Sequence, residues 1–180
     1  MRNFLLGLVT GLLVLPIGLL MAAWLGVIPV SADTRPPRWE YAVARMALDA
    51  SAARNAPHLA NPIAPTEENL MKGAKMFEDD CAGCHGTPAT ALSNEATPHL
   101  YPSPPQFALH HPNKPDYQLF WLAEHGVRYS GMFVWKGIFR KDASGRDPSD
   151  EKIWTMVTFL THLDALPAAV DAEWRKSATQ

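Results

Sequence analysis

Gly73-Ala74-Lys75-Met76-Phe77-Glu78-Asp79-Asp80-Cys81-Ala82-Gly83-Cys84-His85 is the stretch on which the reading of this chain turns. Leu70, Gly73, Ala74, Phe77 and Cys81 recur at the i, i+3, i+4, i+7 spacing that gathers apolar side chains on one helix face. The spacing predicts a helix from about Glu67 into the cysteines, with Thr66 placed to cap its start. Glycine inside a helix costs up to about 1 kcal/mol relative to alanine, so Gly73 suggests close approach of another helix. Cys81 and Cys84 are the only cysteines, and His85 follows the second directly. Two thiols at that spacing can reach the two vinyl groups of a haem, and the next imidazole can ligate its iron. A thioredoxin-like redox pair lacks its βαβ context here. Half of a zinc site lacks a second Cys-x-x-Cys or a well-spaced histidine pair.

Upstream, Pro57, Pro62 and Pro65 mark a stiff, extended linker. Before it, Trp39, Val43, Met46, Ala50 and Ala53 recur at helical spacing, and Arg38 to Asn55 reads as an amphipathic helix starting after Pro36 and Pro37. Two versions stay open: a packed leader helix, or a brace that docks on the domain or on a membrane surface. Phe4 to Val30 carries no charge. As a helix this run reaches about 40 Å, more than the roughly 30 Å of a bilayer core. Pro16 is tolerable as a modest kink, and Trp24 suits an interface. A cleaved signal peptide is the competing reading, with Val30-Ser31-Ala32 as its cleavage site, although the apolar run exceeds the usual ~7 to 15 residues. Charge leaves orientation poorly set, since Met1 and Arg2 oppose Arg35 and Arg38. Haem attachment outside the bacterial cytoplasm would put the amino terminus inside and residues from about 31 outside.

Downstream, Gly86 to Lys114 is rich in proline and small polar residues, and so long an irregular stretch needs an organiser such as a large flat cofactor. Pro115 and Asp116 open a short helix through Tyr117, Leu119, Phe120, Leu122 and Ala123, stopped by Gly126. A loop with Arg128, Gly131, Met132 and Trp135 follows, then a polar turn around Asp142 to Arg146. Pro148 and Ser149 introduce the last strong helix, whose apolar face is Ile153, Trp154, Val157, Leu160 and Leu163, with Pro167 ending it. No strand alternation appears, so the fold class is all-α. The 180 residues include 16 basic and 18 acidic ones. Arg2 is the single charge among the first 32, which leaves 15 basic against 18 acidic, a net of −3, beyond the apolar segment. That balance points away from nucleic acid as a partner.

Residues 66–166 resemble the class I, mitochondrial cytochrome c-like family. The resemblance rests on Gly73, Phe77 and the Cys81 to His85 motif, on Pro105-Gln106-Phe107, on Gly126-Val127-Arg128-Tyr129-Ser130-Gly131-Met132, and on Asp150-Glu151-Lys152-Ile153-Trp154. It implies that the first and last helices cross, with Gly73 and Phe77 against Trp154 and the Val157 to Leu160 region. It implies His85 as proximal iron ligand, the Pro105 carbonyl accepting from the other ring nitrogen, and Met132 as the distal thioether ligand. One covalent haem c is the implied cofactor, wrapped by Phe77, Tyr101, Phe107, Met132 and Trp154. Met1, Met21, Met46, Met71, Met76 and Met156 suit the anchor, the leader or helix packing better than ligation. Where the family commonly has proline after the ligand methionine, this chain has Phe133, which suggests a looser loop. His99, His110, His111, His125 and His162 are alternative sixth ligands, and Trp135 or Arg128 suits the haem edge or a propionate.

The resulting organisation is 1–32 anchor or uncleaved signal, 33–65 leader helix and linker, 66–166 haem domain, and 167–180 tail. The implied function is one-electron transfer without catalytic residues, on a single-pass protein of the inner membrane whose haem domain is periplasmic. Its expected partners are a quinol-oxidising complex, a terminal oxidase or a dehydrogenase. Two alternatives remain: a haem protein with an open or labile distal site for small-ligand sensing or catalysis, and a haem subunit of a larger respiratory complex.

Overall fold

The computed structural model describes residues 1–31, 37–90, 100, 103–138 and 147–176. Ala32, Arg35, Pro36, His99, Tyr101 and the expected polar turn at 142–146 lie outside the described residues. The chain divides into two compact units, Met1–Arg35 and Pro36–Gln180. The first holds α1, Arg2–Trp24, which buries none of its side chains and has a mean hydropathy of 2.5. It is one helix long and apolar enough to cross a membrane.

The second unit is all-helical among its described residues: α2 Arg38–Asn55, α3 Glu67–Asp80, α4 Ala82–His85, α5 Asp116–His125, α6 Pro148–Leu160, a 3-10 turn Leu163–Ala165, and α7 Ala168–Lys176. Thr66 caps α3 by accepting from the amide of Asn69, and Asp147 caps α6 through Ser149. α3 and α6 form the central pair. A Cβ on Gly73 would sit 2.5 Å from the carbonyl oxygen of Thr155 and 2.7 Å from Cβ of Phe159. Contact that close is possible only without a side chain, which explains a glycine in mid-helix. Trp154 is not its partner. It points to the other side of α6 and stacks on Phe120 of α5 at 4.2 Å.

Two apolar clusters result. One gathers Leu70, Ala74, Phe77 and Ala82 with Phe159, Leu160, Val170 and Trp174. The other gathers Phe120, Ala123, Ile153, Trp154 and Val157. Met156 packs against both.

The boundaries differ from the sequence reading in three places. Residues 168–176, expected as a tail, form α7, whose Val170 and Trp174 sit one turn apart and are buried, Trp174 edge-on to Phe77 and Phe159. α6 stops at Leu160, well before Pro167, and Nδ1 of His162 donates to the carbonyl of Thr158 at 2.8 Å, satisfying a helix-end acceptor. Residues 37–65 belong to the same compact unit as the rest. Asn61 donates to Oδ2 of Asp116 and to Oγ1 of Thr158, both at 3.0 Å, and so straps the linker to α5 and α6.

α2 is also turned differently from a leader packed by its apolar stripe. Half-buried Ala44 and Leu48 and buried Ala52 form the face toward the domain, where α2 packs against α5. Short side chains let two helices approach closely. Trp39, Val43 and Met46 point away, 68%, 51% and 64% exposed. Lys114 grips Asp49 of α2 at 2.6 Å.

Candidate functional site

Cys81 ends α3, and the next turn, α4, carries Cys84 and His85, so all three motif side chains leave one short stretch of backbone. Gly86 then turns the chain with φ 71°, a left-handed value that glycine adopts without strain. Neither cysteine is in a disulfide. Cys84 is exposed, whereas Cys81 packs beside the first cluster with its thiol 3.2 Å from Sδ of Met156. Burial, helped by the nearby Asp80 carboxylate and the Cys84 thiol, pushes the Cys81 thiol up to about 12. It is therefore fully protonated at neutral pH.

Nδ1 of His85 lies 2.9 Å from the carbonyl oxygen of Pro105. A carbonyl can only accept, so Nδ1 carries the proton and Nε2 of the neutral ring keeps a lone pair. Burial lowers the His85 pKa and favours that neutral ring, while the Pro105 bond opposes the shift. The ring also stacks on Phe107, with centroids 4.8 Å apart and an interplanar angle of 11°. Gln106 adds a contact that sequence reasoning missed: its side-chain amide donates to the carbonyl of Cys84 at 3.1 Å. The segment 105–107 thus holds α4 by two hydrogen bonds and a stacked ring. Only its neighbourhood to Pro105 could have flagged Gln106.

Met132 lies elsewhere, in a loop that leaves α5 at Gly126. Gly126 has φ 65°, and a Cβ there would sit 2.6 Å from the carbonyl oxygen of Met132 and 2.7 Å from the carbonyl carbon of Phe133. The amide of Val127 donates to the same Met132 oxygen at 2.9 Å, Oγ of Ser130 accepts from the Met132 amide, and Lys136 returns to α5 by bonding Glu124. The loop is short, bonded to itself, and turned at Tyr129, which has φ 61°. Met132 packs against the second cluster, Cys81 and Phe107 against the first. The two sides meet through Met156, which with Met76, Asp80, Trp135, Lys152 and Ile153 lines a small cavity between α3, α6 and this loop.

Three other histidines have structural partners. His125 and His162 donate from Nδ1 to carbonyls one turn back, at Trp121 and Thr158, and His111 pairs with Asp164. His110 is exposed, as is Arg128. Among the described residues no three His, Cys, Asp or Glu side chains converge on one point.

Cys81 and α4 together fit a covalently attached haem: two thiols outside any disulfide at the attachment spacing, and an imidazole whose one nitrogen is fixed by a carbonyl while the other keeps its lone pair. Against known proteins the chain matches no family model, no curated protein and no solved structure.

Proposed function

We propose that this chain is a membrane-anchored, single-haem c-type cytochrome that carries electrons one at a time between redox partners. The reading is carried by the His85 to Pro105 hydrogen bond, which fixes the proton on Nδ1 and leaves Nε2 for iron, beside two unpaired cysteines. Held there, the haem iron supplies a one-electron couple. The chain's own residues would do the rest. Cys81 and Cys84 would hold the group by thioether bonds, and the Pro105 carbonyl would keep the His85 ring oriented and basic. Met132 would supply a second, thioether ligand, its loop set by Gly126. Phe77 and Phe107 beside His85, and Trp154 on the far side of α6, would keep water away.

In this reading α1 is a retained single-pass anchor, its amino terminus cytoplasmic and the second unit periplasmic, because covalent haem attachment takes place outside the cytoplasm. Donor and acceptor would be membrane or periplasmic redox proteins: a quinol-oxidising complex, a terminal oxidase or a dehydrogenase.

Absorption spectra of the purified chain, oxidised and reduced, with and without carbon monoxide, test this. A low-spin c-type spectrum with a sulfur-to-iron charge-transfer band and no carbon monoxide response is the expected result; absence of haem from a chain made in cells able to mature it overturns the proposal. The exposed Phe133 in the Met132 loop favours a second reading, an open or labile distal site for small ligands. A carbon monoxide shift with covalent haem still present would select it.

A further inference from the structure

We propose that α2 lies in the boundary between water and lipid, with the stripe Trp39, Val43 and Met46 turned into the bilayer surface. The inference rests on reading α1 as a retained span, and it extends that reading from one membrane contact to two.

A helix that packs on its own domain normally does so with its largest apolar side chains. α2 inverts this. Its domain-facing side is Ala44, Leu48 and Ala52, while Trp39, Val43 and Met46, at i, i+4 and i+7, share the opposite face with exposed Ala42, Ala50 and Ala53. An ordered apolar stripe on a packed helix calls for a cover.

Three observations identify the cover as lipid. Only residues 31–37 separate the uncharged run ending at Val30 from Arg38, so at ~3.3 to 3.6 Å per residue the chain cannot carry α2 more than roughly 25 to 30 Å from the end of that run. The charges fully exposed on α2 are Arg38 and Arg54, whereas Glu40 is half-buried and Asp49 is held by Lys114. Basic side chains around an apolar stripe suit anionic headgroups, as their stems lie along the apolar surface and their tips reach phosphate. Trp39 stands in the first turn of α2, and tryptophan favours the headgroup level.

The strap gives this contact a consequence. α2 is joined to α5 by packing and by Lys114, and Asn61 ties the following segment to α5 and α6. Seating α2 on lipid therefore fixes which side of the helical unit faces the membrane, and with it the direction from which a soluble partner can approach.

The test is photocrosslinking in the full chain, matured in cells and kept in its membrane. p-Benzoylphenylalanine replaces Val43 in one sample, Leu20 of α1 in a second and exposed Glu173 of α7 in a third, and adducts are identified by mass. Lipid adducts at Val43 and Leu20, with little at Glu173, are expected. Lipid at Leu20 but a second copy of the chain, another protein or no adduct at Val43 overturns the docking while leaving the anchor in place. No lipid at either Leu20 or Val43 overturns both.

Discussion

The His85 side and the Met132 side of the candidate site are built by opposite means. His85 leaves a helical turn that follows α3, one of the central helix pair; Pro105 and Phe107 hold its ring, and Gln106 between them bonds the Cys84 carbonyl. Met132 leaves a loop secured mainly by its own backbone, turned by one glycine, and bordered by exposed Tyr129, Phe133 and Val134. If the chain holds a haem as proposed, attachment and first ligation would belong to the core, whereas the second ligand would come from a loop with fewer ties to it. Local stability follows such differences in burial and contact.

The largest effect expected is on the core side. Replacing both cysteines, Cys81→Ala with Cys84→Ala, should abolish covalent haem altogether; a polypeptide still stained for haem after denaturation would refute the attachment reading. Next is Gly73→Ala, which forces a methyl group against the Thr155 carbonyl and Phe159. Overpacking of this kind costs about 1 to 3 kcal/mol, and here the upper end is expected because backbone cannot step aside. Denaturant unfolding measures it, and a loss near zero would mean that α3 and α6 separate more easily than their contact implies.

Gly126→Ala sharpens the comparison. The positive φ and the crowded Met132 carbonyl should cost about 1 to 3 kcal/mol, absorbed in the loop rather than in the α3–α6 pair. The expected signature is a weakened sulfur-to-iron band and a new carbon monoxide response with the haem still covalently attached. Unchanged ligation with a large loss of global stability would show that the loop and the core are one unit. Gln106→Ala, removing the bond to Cys84, should cost about 0.5 to 1.5 kcal/mol by unfolding and leave the spectrum nearly intact. Smallest is Lys136→Met, which breaks the pair with Glu124 at the loop's return to α5 and should cost no more than about 1 kcal/mol. Glu124 raises the Lys136 pKa, so this contribution is complete below the ordinary amine value and disappears as pH rises through the raised one. A pH titration of stability in wild type and variant reads the sign.

How much of this could be read from the sequence follows the same division. α2, α3 and α5 show their bounds because caps, prolines and periodic apolar residues agree, and Gly73 announces a close crossing by being the wrong residue for a helix. The partner of that crossing is less legible: the spacing puts Trp154 on the apolar face of α6 and leaves Phe159 off it, whereas packing turns Phe159 toward α3 and Trp154 toward α5. α7 escaped notice because its two buried residues, Val170 and Trp174, are set among Asp171, Glu173 and Arg175 after a proline. The facing of α2 was hidden for a different reason. A periodic stripe tells which residues share a side, but whether that side or the alanine side meets the domain depends on α5. The Pro105 contact came only with the family resemblance, and nothing local in the sequence marked Gln106.

Cys81 and Met156 are 75 positions apart in the chain, yet their sulfurs touch. In a polypeptide that emerges from its amino end, the cysteine pair precedes α6 and α7, whose residues pack against Cys81. In the folded unit Cys81 is half-buried and its ionisation is pushed up to about 12, so the free thiol is a poor nucleophile once these helices have closed. If the two cysteines hold a haem as proposed, attachment would therefore be easier before the carboxy-terminal helices pack than after.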